Sequence, residues 1–212
     1  GESHPNAAVT LNRIGEIWNT KGQYDKALEY FEKTLSIYIH YYGESHPNVA
    51  VTLNHIGGVW KTKGQYNKAL EYFEKALTIY IYYKGESHPD VAFTLNRIGE
   101  IWNTKGQYDK ALEYFEKTLT IFIHYYGESH PNVAVTLNLI GEIWKTKRQY
   151  DKALEYFQKV LTIYIEYYGE SHPKVAFTLN RIGDVWDAKG QYDKTLEYFE
   201  KALTIYIHYK GE

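Results

Sequence analysis

Four columns of side chains in this sequence have types that could do chemistry, and each recurs at one interval. His4, His46, His88, His130 and His172 offer imidazoles, the commonest nitrogen ligands for a metal. Glu16, Glu100, Glu142 and Asp184 offer carboxylates for acid–base work. Arg13, Arg97 and Arg181 stand three residues ahead of column positions and are expected to neutralise them. Trp18, Trp60, Trp102, Trp144 and Trp186 offer indole faces on which bases could stack. Asn12, Asn54, Asn96, Asn138 and Asn180 offer amides, which both donate and accept hydrogen bonds.

Spacing discriminates among these chemistries. The five histidines form neither an HExxH motif nor an i,i+4 pair, so they are expected to be structural turn residues and no metal is expected. The carboxylates come with no nucleophile, orienting base or phosphate loop, so neither an enzyme nor a cofactor is expected. Trp18 shares a helical face with Leu11 and Ile14, which assigns the indoles to core packing.

Bulk composition narrows the partners. A net charge of −2 supplies no basic surface for a phosphate backbone or an anionic lipid, so neither nucleic acid nor membrane is expected. Cysteine is absent, which excludes disulfides and thiolate metal sites. No apolar run approaches the ~20 residues of a membrane helix. A cytoplasmic location is expected. Methionine is absent even at the start, so Gly1 reads as the first residue of an excised fragment.

The interval is 42 residues, marked by Gly1, Gly43, Gly85, Gly127 and Gly169. Five copies follow, at 1–42, 43–84, 85–126, 127–168 and 169–210, and 211–212 would open a truncated sixth. In the first copy, Ser3 or His4 can cap a helix whose first turn holds Pro5. Ala8, Leu11, Ile14, Gly15, Ile17 and Trp18 then fall on one side, and Val9, Asn12, Arg13, Glu16 and Asn19 on the other. Gly22 is placed to end that helix in a left-handed cap. A second helix is predicted from Tyr24 to Tyr42, with a stripe of Tyr24, Ala27, Leu28, Phe31, Leu35 and Tyr38 flanked by Tyr30, Thr34, Ile37 and Tyr41. That arc is too wide for one partner, so the helix should pack against its own first helix and the next copy's. The fold class is therefore all-α, one continuous α-solenoid of helix–turn–helix repeats.

The run Leu11, Ile14-Gly15, Trp18, Gly22, Tyr24, Ala27, Phe31, Leu35 resembles the tetratricopeptide repeat (TPR), and the match recurs in every copy. Two features depart from that family. The copies are 42 residues long against its usual 34, and Ile39 stands where its second helix usually ends in proline. The longer repeat resembles that of kinesin light chains. The resemblance implies a right-handed superhelix and a scaffold whose concave groove, lined by first helices, binds a protein or peptide. Carried over by position, the groove would present the Asn column, Glu16, Glu100, Glu142 and Asp184, with Val51, Phe93, Val135 and Phe177 as apolar contacts. The carboxylate clamp of chaperone-tail binders needs a basic residue where Asn12 stands and an Asn where Glu16 stands, so it is absent. The other expected partner is a second copy of the chain, docked head to tail through the apolar outer faces of the end helices.

Overall fold

A computed structural model describes residues 4–209, in which every regular element is an α-helix. The helices are α1 (Pro5–Thr20), α2 (Tyr24–Tyr42), α3 (Pro47–Thr62), α4 (Tyr66–Lys84) and α5 (Pro89–Thr104), then α6 (Tyr108–Tyr126), α7 (Pro131–Thr146), α8 (Tyr150–Tyr168), α9 (Pro173–Ala188) and α10 (Tyr192–His208). They divide into two compact units, one from Gly1 to Gln107 with α1–α5 and one from Tyr108 to Glu212 with α6–α10. In the first unit α2 packs on α1 and α3, and α4 on α3 and α5. In the second, α7 packs on α6 and α8, and α9 on α8 and α10. The wide apolar arc of the second helices is thus used on both sides, as the sequence predicts.

Each first helix begins the same way. His4, His46, His88, His130 and His172 are the caps, and each Nδ1 accepts the backbone N–H two residues on, at 3.1–3.2 Å. Accepting there fixes the proton on Nε2 and satisfies one of the donors a helix start leaves bare. Three of these imidazoles also stack on the tyrosine ending the preceding helix: Tyr42 on His46 at 4.2 Å, Tyr126 on His130 and Tyr168 on His172 at 4.3 Å. Ser3 and the Gly211-Glu212 pair lie outside the described residues.

Each first helix also ends alike. Gly22 takes φ 72°, its N–H bonds the Asn19 carbonyl, and the Gln23 N–H bonds the Trp18 carbonyl. This double bond closes the helix end, and it needs a left-handed residue at Gly22. In the fourth copy that residue is Arg148, which carries a Cβ into the same region at φ 58°.

Packing within a pair turns on one contact. A Cβ added to Gly15, Gly57, Gly141 or Gly183 would stand 2.5–2.8 Å from the ring of Phe31, Phe73, Phe157 or Phe199 respectively. The phenyl ring therefore occupies the space a larger residue would need, which is why glycine is kept mid-helix at a cost of about 1 kcal/mol. Thr34, read from sequence as flanking the stripe, is fully buried. Its hydroxyl bonds the Tyr30 carbonyl at 2.9 Å, which lets a polar side chain sit inside. Ile17, assigned to the apolar side, is 56% exposed, whereas its counterparts Val59, Ile101, Ile143 and Val185 are buried. The tryptophans are half-buried, not central. Trp18 and Trp60 lean on the core cluster of Ala27, Phe31, Ile56 and Val59. Lysines roof them, with Lys26 at 4.3 Å from the Trp18 ring and Lys68 at 4.3 Å from that of Trp60.

Adjacent glycines in α3 should respond with opposite signs. Gly57→Ala drives a methyl into Phe73 and should destabilise by about 1–3 kcal/mol. Gly58→Ala meets only Arg97, at 3.4 Å, and should stabilise by roughly 0.5–1 kcal/mol in thermal or urea melts. Arg148→Gly should raise stability by about 0.5–1 kcal/mol through relief of the left-handed strain; an unchanged melt would show that the loop relaxes around the arginine.

Candidate functional site

Besides the packing of second helices on the next copy, side chains cross-link the first helices of neighbouring copies. In the first unit α1 touches α3 directly. His55 Nδ1 and Asn12 Oδ1 stand 3.1 Å apart, Asn54 donates to the Thr94 hydroxyl at 3.0 Å, and Lys61 pairs with Glu100. In the second unit Arg181 pairs with Glu142 at 2.9 Å, and Lys145 lies between Glu142 at 3.2 Å and Asp184 at 3.8 Å. The contacts relate residues about 40 apart because that is the offset between the same face of successive copies.

The anticipated residues fall on this face with distinct roles. All five asparagines of the column are half-buried. Asn12 donates to Glu16 at 3.0 Å and Asn96 to Glu100 at 3.4 Å. The amide oxygens of Asn54, Asn96 and Asn138 are buried without a hydrogen-bond partner. An unpaired buried acceptor is costly, so these oxygens have reason to take a donor. Beside them the apolar column is open: Val51 40%, Phe93 43%, Val135 46% and Phe177 45% exposed. The carboxylates are engaged differently from the sequence expectation. Arg181 meets Glu142 of the preceding copy instead of Asp184 three residues on, because the pairing follows the stacking of helices and not the helix turn.

Two participants escape sequence reading. Thr52, Thr94, Thr136 and Thr178 are buried beneath the face, their hydroxyls bonded to the carbonyl four residues earlier. Their strict recurrence in an otherwise apolar stripe was the available signal. Tyr80 is buried on the same side. Desolvation pushes its phenol up to about 12, the Asp90 charge adds to this, and the Asn54 amide opposes it. Among the described residues no group of three His, Cys, Asp or Glu side chains converges as metal ligands would. No helix there is long and apolar enough to cross a membrane.

These geometries, paired helices of fixed length with a small-residue contact and a shared inner face, define a helical-repeat protein. Residues 6–81, 61–122, 90–164 and 145–208 match the family model for the tetratricopeptide repeat, and the chain belongs to that family. Comparison with curated protein sequences returns no match. Among solved structures the chain is similar to BtubC (BKLC) from P. vanneervenii, with 20% identity, TM-score 0.86, and coverage of 98% of this chain and 84% of that one. A candidate kinesin light chain from Podosopora anserina with nearly identical TPR-like repeats shares 19% identity, TM-score 0.80, over 95% of this chain and 96% of its own. MamA shares 21% identity, TM-score 0.62, over 91% and 94% of the two chains. These likenesses establish the all-α solenoid of helical repeats.

His55 makes the face sensitive to pH. Burial lowers its pKa, the Glu16 carboxylate 3.5 Å away works against that, and Arg97 adds to the lowering. A lowered histidine pKa means the unfolded chain takes up the proton first. Its contribution is complete above the ordinary value near 6.5 and is lost as pH falls through the folded value. Melting temperature should therefore drop on acidification below about pH 6.5. His55→Leu, which installs the residue found at Leu139, should shrink that drop relative to the unmodified chain.

Proposed function

We propose that the chain is a non-enzymatic interaction scaffold that binds an extended, partly apolar peptide segment along the first-helix face. The observation that carries this reading is the exposed apolar column beside the half-buried amide column on one face, Val51 and Phe93 beside Asn54 and Asn96. A peptide backbone pairs with amides that turn outward to meet it, and its side chains cover the apolar column. The network of Lys145, Glu142, Arg181 and Asp184 is internally balanced, so it offers no net field for a nucleic acid. Such a module needs no cofactor or metal and suits the cytoplasm, where a chain without cysteine is indifferent to redox poise.

Selection from a random peptide library, followed by the double change Asn96→Ala and Asn138→Ala, tests the reading. Affinity should fall by roughly 1–3 kcal/mol if both amides pair with the backbone. Equal loss from changes at the exposed Glu32 and Glu74 on the second helices would move the binding surface there.

A second reading is end-to-end self-association. It is favoured by the apolar outer face of α10, where Leu196 is 58% exposed while its equivalents Leu28, Leu70 and Leu112 are covered, and where Leu203 and Ile207 are exposed beside it. Ile17 on α1 offers the complementary surface, and a head-to-tail contact of this kind does not close. Apparent mass by light scattering should then rise with concentration; a constant monomer mass up to millimolar would leave the peptide scaffold alone.

A further inference from the structure

One acidic position is vacant in the polar ladder of the first-helix face, as one basic position is at Leu139. In the fourth and fifth copies, Glu142 Oε1 stands 2.9 Å from Arg181 Nη1. In the first and second, Glu16 Oε1 faces His55 Nε2 at 3.5 Å. The corresponding pair in the second and third copies is Gly58 and Arg97, and the acid is missing. Arg97 nevertheless holds the paired geometry, its Nη1 3.4 Å from the place a Cβ on Gly58 would occupy. Among the described residues, no carboxylate forms an ion pair with Arg97.

Gly58 lies in the wall of a depression of about 490 Å³ lined also by Lys61, Phe73, Phe93, Asn96, Arg97 and Glu100 among others. Its volume lies within the range of ligand sites. Lys61 is committed to Glu100, so those two charges cancel and the guanidinium of Arg97 is the uncompensated charge. The Phe73 ring lies 5.9 Å beneath that guanidinium, and Phe93 adds an apolar wall suited to a methylene stem.

We propose that this depression is a carboxylate subsite: an Asp or Glu side chain of the bound peptide enters above Gly58 and completes with Arg97 the ion pair that Glu142 makes with Arg181. The proposal rests on the reading of this face as a peptide groove and sharpens it. It makes the ligand acidic at one position opposite the second and third copies while leaving it apolar alongside. An ion pair in a partly desolvated recess supplies the selectivity.

The test uses random peptides selected against the whole chain and measured again with Arg97→Gln and Gly58→Glu. Selected peptides should carry an acid at one fixed register, and exchanging it for its amide should weaken binding about tenfold or more. With Arg97→Gln that exchange should change affinity by less than about twofold. Gly58→Glu fills the recess from within, so it should lose the acidic peptides while melting at a higher temperature, which excludes misfolding as the cause. Peptides carrying a C-terminal amide should bind as well as those with a free terminus, because the carboxylate comes from a side chain. Binding without acid preference, or a preference that persists in Arg97→Gln, overturns the subsite and leaves the groove standing. Failure of any peptide to bind, or binding indifferent to Asn96→Ala and Asn138→Ala, overturns the groove and the subsite together.

Discussion

The structure depends on the contact between a phenylalanine ring and a bare glycine backbone. Phe31 lies so close to Gly15 that a Cβ there would stand 2.6 Å from the ring, and the arrangement recurs with Gly57, Gly141 and Gly183. Helix pairing at this distance sets how far apart first and second helices lie, and hence which residues of a first helix are left facing outward. The mid-helix glycine is unfavourable for the isolated helix and is offset only in the pair. The repeat, not the helix, is therefore the smallest unit that makes physical sense.

Once pairing is fixed, the two faces of a first helix come under different constraints. The face toward the second helix is filled by residues such as Ala50, Ile56 and Val59, all fully buried, and varies only narrowly in size, as between Val59 and Ile101. The other face is held by side-chain bonds between copies, which tolerate exchange as long as donors meet acceptors. His55 and Arg181 occupy equivalent positions and both meet an acid of the preceding copy. Gly58 is the exception, and its consequence is local: it removes a charge partner without disturbing the packing beneath, where Gly57 and Phe73 keep their contact. Side chains on that face can thus vary at little expense to the fold.

How much was legible in advance depends on the range of the interaction. The helix from Tyr24 to Tyr42 has the bounds its periodicity predicts, because amphipathic period and terminal glycine act within a few residues. The left-handed turn at Gly22 follows for the same reason. That His4 is the cap of α1 was settled by its Nδ1 accepting the Asn6 N–H, a side-chain geometry that periodicity does not encode. The pairing of Arg181 with Glu142 instead of Asp184 was misread because helix-local spacing was applied to a contact made between copies.

The sequence by itself determined the 42-residue unit, the two helices within it, their apolar faces and the family, since all of these are written in local periodicity repeated five times. Only the tertiary structure decided which amides are buried without a partner, which acids answer which bases, and that Arg97 faces an empty place above Gly58. Those outcomes depend on the offset between stacked helices, a quantity set by how Phe73 seats against Gly57 and its neighbours, and no spacing along the chain records it.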